Sequence, residues 1–394
     1  MDMPRPVLCD ALLPGRPGLV SGAVRRCGLV LTPVALWLAG CATPISVATS
    51  PPRPDEGRAQ IVRLLPTALP DRAGWAADLY AAFAALEIPA TTANVCAVLA
   101  VAEQESGYRA DPSVPGLAVI ARQEIEQRAA RAGVPGLAVQ AALALHSPDG
   151  RSYRERIDAV TTERELSEIF EDFIGMVPLG RTLLADSNPV RTGGPMQVGV
   201  TFAQIHLQTH AYPYPYPVQG SIRHEVLTRR GGLYFGVAHL LDYEAPYDRL
   251  LYRFADFNAG RYASRNAGFQ NALSLVTGTP LVLDGDLLAP GSVGGAASGS
   301  TEAAAYALAG RIDMSVAQIR RDLEKGEQAG FDRTRLSERV RALAERLDQR
   351  ALPLAVLPRI TLQSPKIRRK LSTQWFARRV DERWQRCLAR DALR

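Results

Sequence analysis

Eight consecutive residues, Val95 to Ala102, offer no polar side chain to any face of a helix. A helix apolar all round cannot sit on a surface, so it must be enclosed by other helices. The stretch is bounded in a helical way. Thr91, Thr92 or Asn94 supplies an N-cap side chain. Gly107 supplies a left-handed C-cap. The segment 75–86, W-A-A-D-L-Y-A-A-F-A-A-L, is a second apolar helix in front of it, and Pro89 closes that one. Helical patterns recur at 115–190, 223–251, 262–277, 301–311, 315–326 and 332–349, with a basic helix at the C-terminus. The short strand candidates lie near 279–284. The expected fold class is therefore mostly α: a helical core, an inserted helical subdomain and a helical C-terminal extension.

The chain has 394 residues, 47% hydrophobic and 22% charged, which is ordinary globular composition. Its formal charge of +6 is unevenly placed. Residues 1–40 carry +2 and residues 364–394 carry +7, which leaves the body at −3. A mildly acidic body with one basic end does not read as a nucleic-acid-binding surface.

Residues 25–41 read R-R-C-G-L-V-L-T-P-V-A-L-W-L-A-G-C. Two arginines precede a twelve-residue apolar run, Gly28 to Ala39, too short for a spanning helix of about 20 residues. It suits the apolar region of a secretory signal peptide, residues 1–40. Leu38-Ala39-Gly40-Cys41 resembles the bacterial lipoprotein cleavage box, which implies that acyl chains, palmitate among them, anchor Cys41 to a membrane. The alternatives are an ordinary signal or a buried strand with a chance cysteine. Ala42 stands where the inner-membrane retention signal has aspartate, so the resemblance implies the outer membrane, facing the periplasm. Export excludes nucleic acid as a partner. Residues 41–60, rich in Pro, Ser and Thr, read as a flexible tether. Cys9 and Cys27 leave with the signal. Of the two cysteines then remaining, Cys96 reads as a buried free thiol, with a Cys96–Cys387 disulfide as the alternative.

The apolar helix ends in V-A-E-Q-E-S-G-Y, which raises the question of its two glutamates. At about 100° per residue, Glu103 and Glu105 point about 200° apart and cannot form a dyad. Glu105 shares a face with Val98, Val101 and Ala102. A carboxylate above such a stripe loses hydration, and its proton affinity rises toward that of a general acid. A solvated surface glutamate is the plainer reading of this segment alone.

Four motifs in order change the balance. They are Glu105-Ser106-Gly107-Tyr108, Gly194-Pro195-Met196-Gln197, Gly236 to Tyr243 (G-V-A-H-L-L-D-Y) and Ala255-Asp256-Phe257-Asn258-Ala259-Gly260. Together they resemble the lytic transglycosylases with a goose-type-lysozyme-like catalytic domain, over roughly residues 90–280. The resemblance implies a catalytic domain over 61–285, with a loop at 286–300 and a C-terminal extension over 301–394. It implies peptidoglycan glycan as substrate, cut between MurNAc and GlcNAc to leave 1,6-anhydro-MurNAc ends, with no cofactor or metal. Glu105 is then the sole acid/base, and Ser106, Met196, Gln197, Phe257 and Asn258 are substrate-side residues. The sequence departs from the pattern in three places: an insertion at about 112–188, Pro195 for leucine and Phe257 for tyrosine. The last two bear on efficiency and specificity. A peptidoglycan-binding lipoprotein without activity is one alternative. A hydrolytic muramidase drawing a second carboxylate from Asp111, Glu171 or Asp172 is another.

Three further features carry weaker signals. His206 and His210, four apart, lack the third ligand and the glutamate of a zincin, so a polar helix face is expected. The tyrosines of A-Y-P-Y-P-Y-P (211–217) suit either sugar stacking or a stiff connector. Phe376, Val380, Trp384 and Leu388 fall on one stripe of the last helix, which is expected to dock on the acidic body, with contact to anionic lipid or wall polymer as the alternative. The sequence names no protein partner.

Overall fold

The structure, a computed structural model, describes residues 53–177, 179–184, 187–214, 221–289, 299–362 and 371–392. The signal-like segment, Cys41 and most of the 41–60 tether lie outside the described residues. The chain is mostly α-helical. The first helices among the described residues are α1 (Pro54–Leu64), α2 (Arg72–Ala85) and α3 (Thr92–Ser106). The insertion follows as α4 (Leu117–Arg131), α5 (Gly136–Ala144), α6 (Tyr153–Ala159), α7 (Glu163–Met176) and α8 (Gly180–Leu183). A short hairpin of β1 (Thr192–Gly193) and β2 (Val198–Gly199) leads to α9 (Val200–His206), α10 (Ile222–Val226), α11 (Arg229–Leu241), α12 (Leu250–Ala259) and α13 (Ala263–Thr277). Then come α14 (Ser300–Ala307), α15 (Val316–Leu323), α16 (Arg335–Asp348), the pair β3 (Thr361–Leu362) and β4 (Leu371–Ser372), and α17 (Thr373–Ala392).

Local chemistry sets the ends of α3. The Thr91 hydroxyl accepts the Asn94 N–H at 3.2 Å, and Gly107 closes the helix with φ of +59°. From Val95 to Ala102 every side chain is buried, as an all-apolar stretch requires. The walls against it are α1, α11 and above all α17. α17 lies antiparallel along α3. Thr92 at one end bonds Asp391 at 2.9 Å, and Glu103 at the other meets Arg383 and Arg386 at 3.2 Å each. Phe376, Val380 and Cys387 are buried against this core, and the Trp384 indole donates to the Ala93 carbonyl at 3.0 Å. The expected docking of the last helix holds.

Four expectations are corrected. The tether turns helical at Pro54, where a proline in the first turn and Asp55 and Glu56 start α1. No strand forms at 279–284. The boundary at 286–300 does not separate an extension, because α17 returns to the first core while α13 joins α14–α16 in a second one. Cys96 is not a free thiol: it forms a disulfide with Cys387, with Cα atoms 5.5 Å apart. The close antiparallel run of α17 on α3 brings these two residues together across 291 positions. The insertion does form as a helical unit with its own small core, including Tyr153, Ile157, Leu166 and Ile169.

Candidate functional site

The two glutamates at the end of α3 have opposite fates, as their angular separation dictates. Glu103 turns to α17 and is held by Arg383 and Arg386. Glu105 turns away, is half-buried, and has no hydrogen bond or ion pair to any described residue. Burial against apolar neighbours raises its pKa to about 7.

Ser106, next in sequence, is buried and fastens α3 to the 194–197 turn. Its hydroxyl lies 2.8 Å from the Pro195 carbonyl and 3.0 Å from the Ala102 carbonyl, and it accepts the Arg109 N–H at 3.1 Å. A hydroxyl has one proton to give, and the shorter bond spans the two motifs. The turn is then seated on α11 by close approach. A Cβ on Gly232 would lie 2.6 Å from Pro195 Cδ, and one on Gly236 would overlap the Met196 thioether. A side chain at either place would force the turn or its side chains to shift.

Met196 is fully buried under Gly236. It supports the turn from beneath and presents no surface to a ligand, which corrects its expected place in the cleft lining. Gln197 is half-buried at φ of +52°, and its amide nitrogen donates to the Gly194 carbonyl at 3.2 Å. From α11 the chain of contacts passes to α12. The His239 Nε2 lies 3.3 Å from the Phe257 carbonyl, and the two rings meet edge to face at 4.9 Å. Desolvation lowers the His239 pKa to about 4, so it is a neutral imidazole near neutral pH. Asn258 accepts the Thr373 hydroxyl at 2.9 Å, which ties α12 to the start of α17. The four motifs are thus linked through Ser106, Pro195, Met196, Gly236, His239 and Phe257.

Sequence reasoning missed Asp256. It is fully buried and accepts from the Tyr243 hydroxyl at 3.1 Å, from the Tyr247 hydroxyl, and from the Ser264 N–H at 2.7 Å. Desolvation raises its pKa despite these donors. Its position inside the fourth motif was the available signal. The second-carboxylate candidates are all engaged elsewhere. Asp111 pairs with Arg164 at 2.8 Å, Asp172 with Arg156 at 2.7 Å, and Glu171 accepts from Ser221 at 3.3 Å.

Folding adds Asp242 to His206 and His210, giving three candidate ligand atoms within 4.8 Å of one another. The two imidazoles are stacked 4.1 Å apart and nearly parallel, at 6°. In-plane lone pairs on parallel rings do not converge on one ion. The His206 Nε2 is instead 3.1 Å from the Tyr234 hydroxyl. Tyr212 packs on the body, stacked on Phe235 and bonded to Glu225 at 2.6 Å, as a connector does. Residues 215–217 lie outside the described residues.

No solved structure matches the chain. It is 51% identical over 357 residues to the uncharacterized protein YaiW of Escherichia coli (strain K12), covering 90% of this chain and 95% of that protein. Residues 68–390 match the family described as "Protein of unknown function (DUF1615)", a span that takes in α3, the insertion and α17, and the chain belongs to that family.

Proposed function

We propose that this protein is a lytic transglycosylase that cleaves peptidoglycan glycan strands, with Glu105 as its only acid/base. One observation carries the reading: Glu105 is a half-buried carboxyl with no hydrogen-bond or ion-pair partner among the described residues, poised near neutral pH. A group with a pKa near the working pH can give a proton and then take one. Protonated Glu105 would donate to the glycosidic oxygen, and that bond to MurNAc C1 breaks with oxocarbenium character at C1. The resulting carboxylate would accept the proton of the MurNAc C6 hydroxyl as its oxygen bonds C1. The products are a 1,6-anhydro-MurNAc end and a free GlcNAc hydroxyl, with no water consumed. A two-carboxylate hydrolase needs a second acid about 5–9.5 Å away. The pairing of Asp111 and Asp172 with arginines favours the one-carboxylate route.

Residues 25–41 support attachment to the outer membrane through Cys41, and the Cys96–Cys387 disulfide suits the oxidising periplasm. A non-catalytic, glycan-binding reading draws on Phe257, whose ring lacks the hydroxyl of the resembled motif.

Digestion of purified peptidoglycan, read by mass spectrometry, tests the proposal. The wild type is expected to release anhydro-muropeptides. Glu105→Gln is expected to lose roughly 10²–10⁴-fold or more in rate. Reducing-end products would replace the reading with a muramidase. Peptidoglycan binding without products would replace it with a binding protein.

A further inference from the structure

The inserted subdomain holds a feature that the proposed chemistry does not use. Between α4, α5, α6 and α7 the protein's side chains leave a cavity of about 430 Å³. Protein interiors ordinarily leave few voids larger than a water molecule. This volume falls in the range of small-molecule sites, about 300–1,000 Å³, toward its lower end.

The sequence creates the space. Ala121 and Ala129 on α4 and Ala138 and Ala142 on α5 face the cavity where leucines would close it. Ile169, Phe170 and Phe173 of α7 form an opposing hydrocarbon wall. A sugar or nucleotide placed there would lose its hydration with almost nothing to bond in return. An apolar body would lose nothing.

Polar groups mark only two places. The Tyr153 hydroxyl belongs to a lining residue that is 1% exposed, and it is buried without a hydrogen-bond partner among the described residues. At an edge that reaches solvent, Arg128 pairs with Glu124 at 2.5 Å and donates to the Ser187 carbonyl at 2.8 Å, and Arg131 lies 3.7 Å from the same carboxylate, so two arginines share one glutamate there. Val134 and Leu184 also line the cavity and are themselves 43% and 36% exposed, so an apolar tail could enter between them.

We infer that this cavity binds a single-chain fatty acid, with its hydrocarbon tail between α4, α5 and α7 and its carboxylate at the Arg128 edge. The modest volume takes one chain and excludes a two-chain lipid body. This inference is independent of Glu105 chemistry and stands or falls separately from it.

The test is fluorescence titration of the purified full-length protein with cis-parinaric acid, followed by displacement with oleate. The expected result is saturable binding at one site per chain. Ala129→Phe and Ala142→Phe should each weaken binding at least tenfold, with the melting temperature unchanged or raised. Should either variant fail to fold, Arg128→Gln at the partly exposed edge decides: it should weaken oleate and leave oleyl alcohol unaffected. A Cys41→Ser chain should bind as the wild type does. Absence of saturable binding would overturn the inference. So would equal binding by folded cavity-filled variants, or equal oleate binding by Arg128→Gln. Binding that appears only in Cys41→Ser would overturn it in favour of the chain's own acyl anchor as occupant.

Discussion

The α3 core and the inserted subdomain are both helical, yet they are built on opposite terms. Around α3, apolar residues meet on every side, and glycines at 232 and 236 let the backbone of the 194–197 turn come close. The insertion has a small core around a cavity, and it leaves Leu137 86% and Leu179 73% exposed. One region spends its apolar residues on holding a turn and a carboxyl in place. The other keeps apolar surface available. A close-packed frame around Glu105 and a loosely filled hydrocarbon space are joined in one chain, the second inserted between two of the quoted motifs of the first.

The comparison breaks most readily at the disulfide. Cys387→Ser is expected to lower unfolding stability by about 2–5 kcal/mol, measured by chemical denaturation under oxidising conditions. A loss confined to the insertion would contradict the assignment of α17 to the α3 core. Next in size is Gly236→Ala. The added methyl displaces the Met196 thioether from beneath the turn, at a cost of about 1–3 kcal/mol, with a matching loss of any Glu105-dependent activity.

The third prediction concerns pH. Folding raises the Glu105 pKa from 4.5 to about 7, so the native state holds an extra proton between those values. The stability this confers is full below 4.5 and is lost as pH rises through about 7. Glu105→Gln does not titrate, so its stability should gain on the wild type across that window, by at most about 1.4 kcal/mol per pH unit. Parallel denaturation curves for the two proteins at pH 4 and pH 8 would remove the buried carboxyl from the account. The smallest effect belongs to Glu103→Gln. Its partners are partly exposed, and a change of about 0–1 kcal/mol is expected from the same measurement.

The two regions also differed in how far they could be read from sequence. The helix α3, its caps and the opposed directions of Glu103 and Glu105 follow from period and capping chemistry alone. The docking stripe of α17 followed from Phe376, Val380, Trp384 and Leu388. The disulfide did not, since an apolar helical setting suits a thiol and a bridge equally, and no local signal pairs positions 291 apart. The burial of Met196 depended on Gly236 lying over it, a contact between distant segments. Asp256 was hidden because its tyrosine partners lie outside the motif that contains it. In the insertion the helices were legible, whereas the cavity was not. Alanines on α4 and α5 look the same in sequence whether neighbours close over them or stand apart.

The seating of α17 also sets an order of events. One wall of the apolar stretch of α3 is made by residues that leave the ribosome about 290 positions later. At about 5–20 residues per second, that is a wait on the order of tens of seconds. Throughout it, the helix carrying Glu105 lacks its final cover and its covalent tie. A chain cut short before Thr373 has neither, and the apolar stretch Val95 to Ala102 is left open to chaperones and proteases. The fold therefore depends on α17: only a chain made through that helix can shelter the segment that bears the carboxyl.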